Sequence, residues 1–131
     1  MKFYLASRLS NAEKALQAIR HLESLGHECT CNWSSYYLKN GPTVGKSLGH
    51  RLHHANRELN GVRDADFVVG LFPIAIGSSI EIGGALILNK TVYLVGKPDP
   101  YDIHFFDLVK RRYDRIEEIS DEHLLQDFPE R

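Results

Sequence analysis

The stretch Gly77-Ser78-Ser79-Ile80-Glu81-Ile82-Gly83-Gly84-Ala85 decides how the rest of the chain is read. Before it stands Phe67-Val68-Val69-Gly70-Leu71-Phe72, a short β-branched and aromatic run that reads as a buried strand. After it come Ala85-Leu86-Ile87-Leu88 and a second apolar run, Thr91-Val92-Tyr93-Leu94-Val95. The order is strand, glycine-containing loop, helix, strand. Such a loop opens at the carboxyl end of a parallel strand, where open α/β sheets bind their ligands. Glu81 is then expected in the first helical turn, where free N–H groups and the helix dipole favour its ionised form. A carboxylate held ionised at a strand end can act as a nucleophile. Ser78-x-x-Glu81 equally fits a capping box, in which both side chains only satisfy backbone donors.

Working outward, residues 2–7 read as a first strand. Ser10-x-x-Glu13 is a second capping-box pattern, followed by Ala15, Leu16, Ile19, Leu22 and Leu25 at helical spacing, with Gly26 as the C′ residue. Residues 27–33 read as a modest second strand, which completes a right-handed βαβ unit. Residues 34–42 read as a loop ending in the turn signal Asn40-Gly41-Pro42. Thr43 is the expected cap of a helix running to about residue 63. Its apolar face is Val44, Leu48, Leu52, Ala55, Leu59 and Val62. Beyond the fourth strand, residues 97–100 read as a loop and residues 105–109 as a short helix. Residues 115–118 read as a weak fifth strand, and Ser120 as the cap of a final helix over 121–128. No repeat or linker interrupts the chain. A single domain over residues 1–131 is expected, as a flavodoxin-like α/β three-layer sandwich with a five-stranded parallel sheet in the order 2-1-3-4-5.

The 131 residues suffice for one real core. Lys and Arg number 16 against 17 Asp and Glu, a balance that advertises neither a nucleic acid polymer nor an anionic membrane. No apolar run approaches the roughly 20 residues of a bilayer span, and residues 1–6 enter a strand-like pattern without a signal-peptide region. Cys29 and Cys31 would point to one face of a strand, a poor geometry for a mutual disulfide. Free thiols and a cytoplasmic location follow as the expectation.

Three motifs together resemble the nucleoside 2-deoxyribosyltransferase family and its relatives that hydrolyse nucleotide N-glycosidic bonds. The first is a short opening strand that ends in a small-residue loop, Tyr4-Leu5-Ala6-Ser7-Arg8. The second is Asn56-Arg57-Glu58-Leu59-Asn60-Gly61-Val62-Arg63-Asp64-Ala65-Asp66, similar to the family's acidic residue, its Leu-Asn-Gly-Ile and the Asp that opens its third strand. The third is Gly-x-x-x-Glu-x-Gly-x-Ala, residues 77–85 here. They cover most of the chain in order. The resemblance implies cleavage or transfer at the N-glycosidic bond of 2′-deoxyribonucleosides. Glu81 would be the nucleophile that forms a glycosyl-enzyme ester, and Glu58 the second acid, with a raised pKa. The partners implied are a small nucleoside or nucleotide and a free nucleobase. No cofactor or metal is implied. Where the transferases often carry an Asp before the glycine loop, this chain has Pro73-Ile74-Ala75-Ile76. The related hydrolases bind a 5′-phosphate, and Ser7, Arg8, Ser78 and Ser79, with Gly77, stand where that group would sit. Hydrolysis of 2′-deoxynucleoside 5′-monophosphates is therefore an alternative, as is a non-catalytic nucleotide-binding module.

Other residues carry two readings each. Trp33 either stacks on a nucleobase or covers the core. Tyr36 and Tyr37 either close over a site or decorate a loop. Asp66 either orients a sugar or merely opens the third strand, beside Asp64. His50, His53 and His54 invite a zinc reading, but no H-E-x-x-H frame or cysteine spacing supports it, and a polar helix face is expected. A covalent sugar intermediate has to be shielded from bulk water. The lid candidates are residues 34–41 and the aromatic segment 98–106. Together with surplus apolar surface on the long helix, and with the family's habit of assembly, they lead to the expectation of a homodimer or higher homo-oligomer with these segments near the interface.

Overall fold

The computed structural model describes residues 1–43, 45–98 and 103–130. Five parallel strands form one sheet in the order β2-β1-β3-β4-β5, the expected topology. They are β1 (Lys2–Ala6), β2 (Glu28–Cys29), β3 (Phe67–Leu71), β4 (Thr91–Val95) and β5 (Arg111–Tyr113). The central strands are the legible ones. Phe3 to Ala6, Phe67 to Gly70 and Val92 to Val95 are buried on both faces, as continuous apolar runs in a parallel sheet must be. Register pairs Tyr4 with Val68 and Val69 with Tyr93, so the carboxyl ends of β1, β3 and β4 lie together.

Helices cover both faces. On one face α1 (Ala12–Ser24) packs on β1 and β2. On the other, α3 (Leu48–Asp64) packs on β1, and α4 (Ile76–Ile87) on β1, β3 and β4. Right-handed crossovers require this division, because the chain moves towards one sheet edge through α1 and towards the other through α3 and α4. The closing helix α5 (Asp121–Asp127) is tied to the sheet through Asp127. That carboxylate accepts from the Tyr93 hydroxyl at 2.7 Å and from Arg111 Nε at 2.8 Å. The Arg111 guanidinium holds the Asp127 carboxyl below its ordinary value. Among the described residues no helix is long and apolar enough to cross a membrane.

Two glycines set how closely α3 and α4 approach the sheet. A Cβ on Gly61 would lie 2.9 Å from both Cys31 Cβ and Tyr4 Cδ2, and one on Gly70 would lie 2.7 Å from Leu94 Cδ2 and 2.8 Å from Ile82 Cδ1. Thr30 reinforces the first approach by donating its hydroxyl to the Gly61 carbonyl at 2.7 Å. Glu58 stands one turn before Gly61 and Glu81 one residue before Ile82, so these close contacts also fix where both carboxyls sit.

Several local expectations are corrected. The first helix begins at Ala12 after a short 3-10 turn, and Ser10 does not cap it. Its end does form as read, with Gly26 at φ +92° and the paired bonds from Gly26 to the Glu23 carbonyl and from His27 to the Leu22 carbonyl. Strand two covers only Glu28–Cys29, and residues 34–40 are not a loop, although Gly41 at φ +76° does turn the chain as read. Asn32 accepts from the Ser35 N–H and caps α2 (Trp33–Asn40), so Trp33 opens a helix rather than closing a strand. The long helix starts at Leu48, capped by Ser47 at 3.2 Å from the His50 N–H, and not at Thr43. Gly45 at φ +86° turns the chain between them, and Val44 lies outside the described residues. The fifth strand is Arg111–Tyr113, while Ile116–Glu118 is a 3-10 turn. The second lid candidate falls partly on residues 99–102, outside the described residues; His104–Leu108 forms a 3-10 helix.

Candidate active site

The segment 77–85 is helix throughout, because α4 begins at Ile76. Ser78 is thus the third helical residue, and its hydroxyl accepts from the Ala75 N–H at 2.7 Å. Glu81 lies in the second turn, beyond the first-turn donors, and is 8% exposed. The expectation of a carboxylate stabilised by the helix end is overturned. Burial, together with the charge and hydrogen bond of Glu58, pushes the Glu81 carboxyl up to about 8, against a hydrogen bond from Tyr4 that favours the anion.

Glu58 reaches the same point from α3. Its carboxyl hydrogen-bonds that of Glu81, and burial raises it too, opposed by that bond and by the neighbouring Arg57 charge. Two carboxyls in contact need a proton between them. Burial raises both carboxyls, so the pair holds one proton between them. The Tyr4 hydroxyl donates to Glu81 Oε2. Burial beside these acids keeps that phenol protonated, with its pKa well above the ordinary value. The result is a chain from the middle of β1 through α4 to α3: phenol, carboxyl, carboxyl.

The two carboxyls line a cleft of about 950 Å³ at the carboxyl end of the sheet, with Tyr4 buried behind them. Arg8, Trp33, Gly77, Ser78 and Ser79 line it as well, so most of the sequence-level site residues are brought together. Two are not. Asp66 precedes β3 at the opposite, amino end of the sheet, where it accepts from the Lys2 N–H at 2.8 Å; a parallel strand puts its first and last residues at opposite edges. Ser7 is buried and spends its hydroxyl on the Leu71 carbonyl at 2.8 Å, while accepting from Asn11 at 3.0 Å. It therefore splices the ends of β1 and β3. Trp33 is 7% exposed and donates its indole N–H to the Leu5 carbonyl at 2.6 Å. The first lid candidate is helix α2, whose Tyr36 and Tyr37 form a wall of the cleft.

The chain shares its fold with a 2-deoxyribosyltransferase and a CMP N-glycosidase. The former, from Bacillus psychrosaccharolyticus, superposes with a TM-score of 0.66 over 95% of this chain and 96% of its own, at 23% identity. The latter, from Clostridium botulinum, superposes with a TM-score of 0.58 over 98% and 99%, at 17% identity. At these identities what is shared is the fold. No protein-family model and no curated protein matches the sequence.

Sequence reasoning missed Tyr4, Cys31, His54 and Arg57. Tyr4 was visible as a phenol in a strand whose alternation points it towards α3 and α4. Arg57 and His54 stand one and four residues before Glu58. Cys31 gave no signal beyond its place in the sequence. It lines the cleft with its thiol raised chiefly by burial, while Cys29 is pushed to about 12 by burial; both are free. His50, His53 and His54 form no metal site, as no group of three or more ligating side chains occurs among the described residues.

Proposed function

We propose that this protein cleaves the N-glycosidic bond of 2′-deoxyribonucleosides and passes the sugar to water or to a second base. The observation that carries the reading is the coupled Glu58–Glu81 pair in a cleft roomy enough for a nucleoside, in a fold shared with a 2-deoxyribosyltransferase and a CMP N-glycosidase. Substrate entering the cleft parts the pair and leaves the shared proton on Glu58, with Glu81 as the carboxylate. Glu81 then attacks C1′, the C1′–N bond breaks, and Glu58 protonates the departing base. In the second half, water or another base attacks C1′, Glu58 takes its proton, and Glu81 leaves as a carboxylate. Tyr4 donates to Glu81 throughout, holding the carboxyl in place and favouring its anion.

A 5′-monophosphate substrate is the second reading, favoured by Arg8, Ser79 and the first-turn N–H groups of α4 at the cleft. Ser7 and Ser78 add little to it, because their hydroxyls are committed to the protein. The free thiols suit a reducing cytoplasm. Apolar surface on α3 and α4, with Leu48 62%, Ile76 83% and Ile80 60% exposed, supports a homo-oligomer.

The test is chromatography of two reactions: a deoxynucleoside plus a different free base, and a deoxynucleoside monophosphate in water. A new nucleoside or a released base is expected, and Glu81→Ala should abolish both. Arg8→Ala should harm only monophosphate turnover if that group is read there. Binding without bond cleavage would leave a nucleotide-sensing module in place of an enzyme.

A further inference from the structure

His50, His54 and Glu58 are spaced four residues apart on α3 and stand on one helix face, about 5.4 Å between turns. The rings of His50 and His54 lie 4.5 Å apart. Tyr36 of α2 closes on them, its ring 4.2 Å from that of His54 at a tilt of 40° and its hydroxyl 3.1 Å from His50 Nε2. Tyr36 and His54 face the same cleft as the carboxyl pair. An aromatic wall therefore starts one helical turn from Glu58.

The geometry deepens the N-glycosidic reading and rests on it. If Glu58 protonates the nitrogen through which a base leaves, that nitrogen sits beside Glu58 and the flat ring must extend away from the sugar. One turn back along α3 is His54, against which Tyr36 of α2 packs. We propose that the Tyr36–His54 ring pair is the platform for the nucleobase, and that the His54 imidazole edge discriminates between bases. A ring face stacks on any base, so the platform alone is tolerant. Selection needs a polar edge whose partner is missing in the wrong substrate. Burial, with the charges of His50, His53 and Arg57 on its own helix, holds the His54 imidazole below its ordinary value. It is neutral near pH 7 and offers one donor and one acceptor. His50, bonded to the Tyr36 hydroxyl, holds the phenol against His54. Trp33 is a poorer platform, nearly covered and with its N–H already used.

The test is binding to full-length Glu81→Gln protein, which holds ligand without consuming it. Thymidine, deoxycytidine, deoxyadenosine, deoxyguanosine and the base-less sugar 1,2-dideoxyribose are titrated by ligand-observed NMR. Adding Tyr36→Ala or His54→Ala should weaken nucleoside binding on the order of tenfold or more and leave the base-less sugar unchanged. His54→Phe keeps the ring and should change the rank order of the bases; it carries the test if an alanine variant fails to fold. Unchanged affinities and rank order in the folded variants overturn the platform and leave the N-glycosidic reading standing. No nucleoside binding by the Glu81→Gln protein overturns both.

Discussion

Glu81→Gln should make this protein more stable, and only at alkaline pH. Glutamine has the shape of the protonated acid: its carbonyl oxygen can accept from Tyr4 and its amide can donate to a Glu58 carboxylate. The buried acid titrates at about 8 in the folded chain against an ordinary 4.5. A carboxyl raised on folding contributes stability that is fully present below its unfolded pKa and is lost as pH rises to the folded value. At about 1.36 kcal/mol per unit, that loss has a ceiling of about 5 kcal/mol between roughly pH 4.5 and pH 8, and glutamine escapes it. Urea denaturation of both proteins at about pH 5 and about pH 9 reads the difference. With a slope of about 2 kcal/mol per molar, the variant's midpoint should sit near wild type in acid and up to about 2.5 M higher in alkali. A midpoint difference that does not change between the two pH values would mean that Glu81 folds in its charged form. The shared-proton pair, and the mechanism built on it, would then be wrong.

Tyr4→Phe removes the donor that favours the Glu81 anion, so the acid limb of the pH–rate profile should move to higher pH; steady-state rates across the range check it, and an unmoved limb means the phenol does not bear on Glu81. Gly61→Ala inserts a Cβ 2.9 Å from Tyr4 and Cys31, which should destabilise by about 1–3 kcal/mol and lower turnover by shifting Glu58; calorimetry and rates together test it, since a loss of stability alone would uncouple α3 from the site. Sedimentation at micromolar concentration should find a homo-oligomer, and Ile80→Glu on the exposed α4 face should disperse it; an active monomer would show that this apolar face serves something else.

The central strands were legible because burial on both faces leaves continuous apolar runs, which in β1, β3 and β4 are short and rich in β-branched and aromatic residues. The edges were not. Arg111-Arg112-Tyr113 reads as a charged surface segment until Asp127 and Gln126 are seen accepting from Arg111 across the fold. Helix α2 has no apolar periodicity; its Ser, Tyr and Asn residues favour loops, and it is set by the Asn32 cap and by the burial of Trp33 and Ser34. Ser120 caps α5 as read, while three other helix starts failed for one reason: Ser10, Thr43 and Ser78 all look like caps, and which hydroxyl does the capping depends on where neighbouring loops deliver the chain.

The same slippage explains the site. Moving the start of α4 back to Ile76 takes Glu81 from the exposed first turn into the second, away from the dipole and onto Tyr4 and Glu58. The residue was legible in the sequence and its protonation state was not, because charge is decided by tertiary burial and partners rather than by position in a motif. Gly61 and Gly70 are the sequence's actual statement about the chemistry. By letting α3 and α4 press onto the sheet they bring two carboxyls into hydrogen-bonding contact, where only one can be charged at modest cost. The resting site is therefore a stored proton between a prospective nucleophile and a prospective acid, and a ligand that parts them determines which carboxyl keeps it.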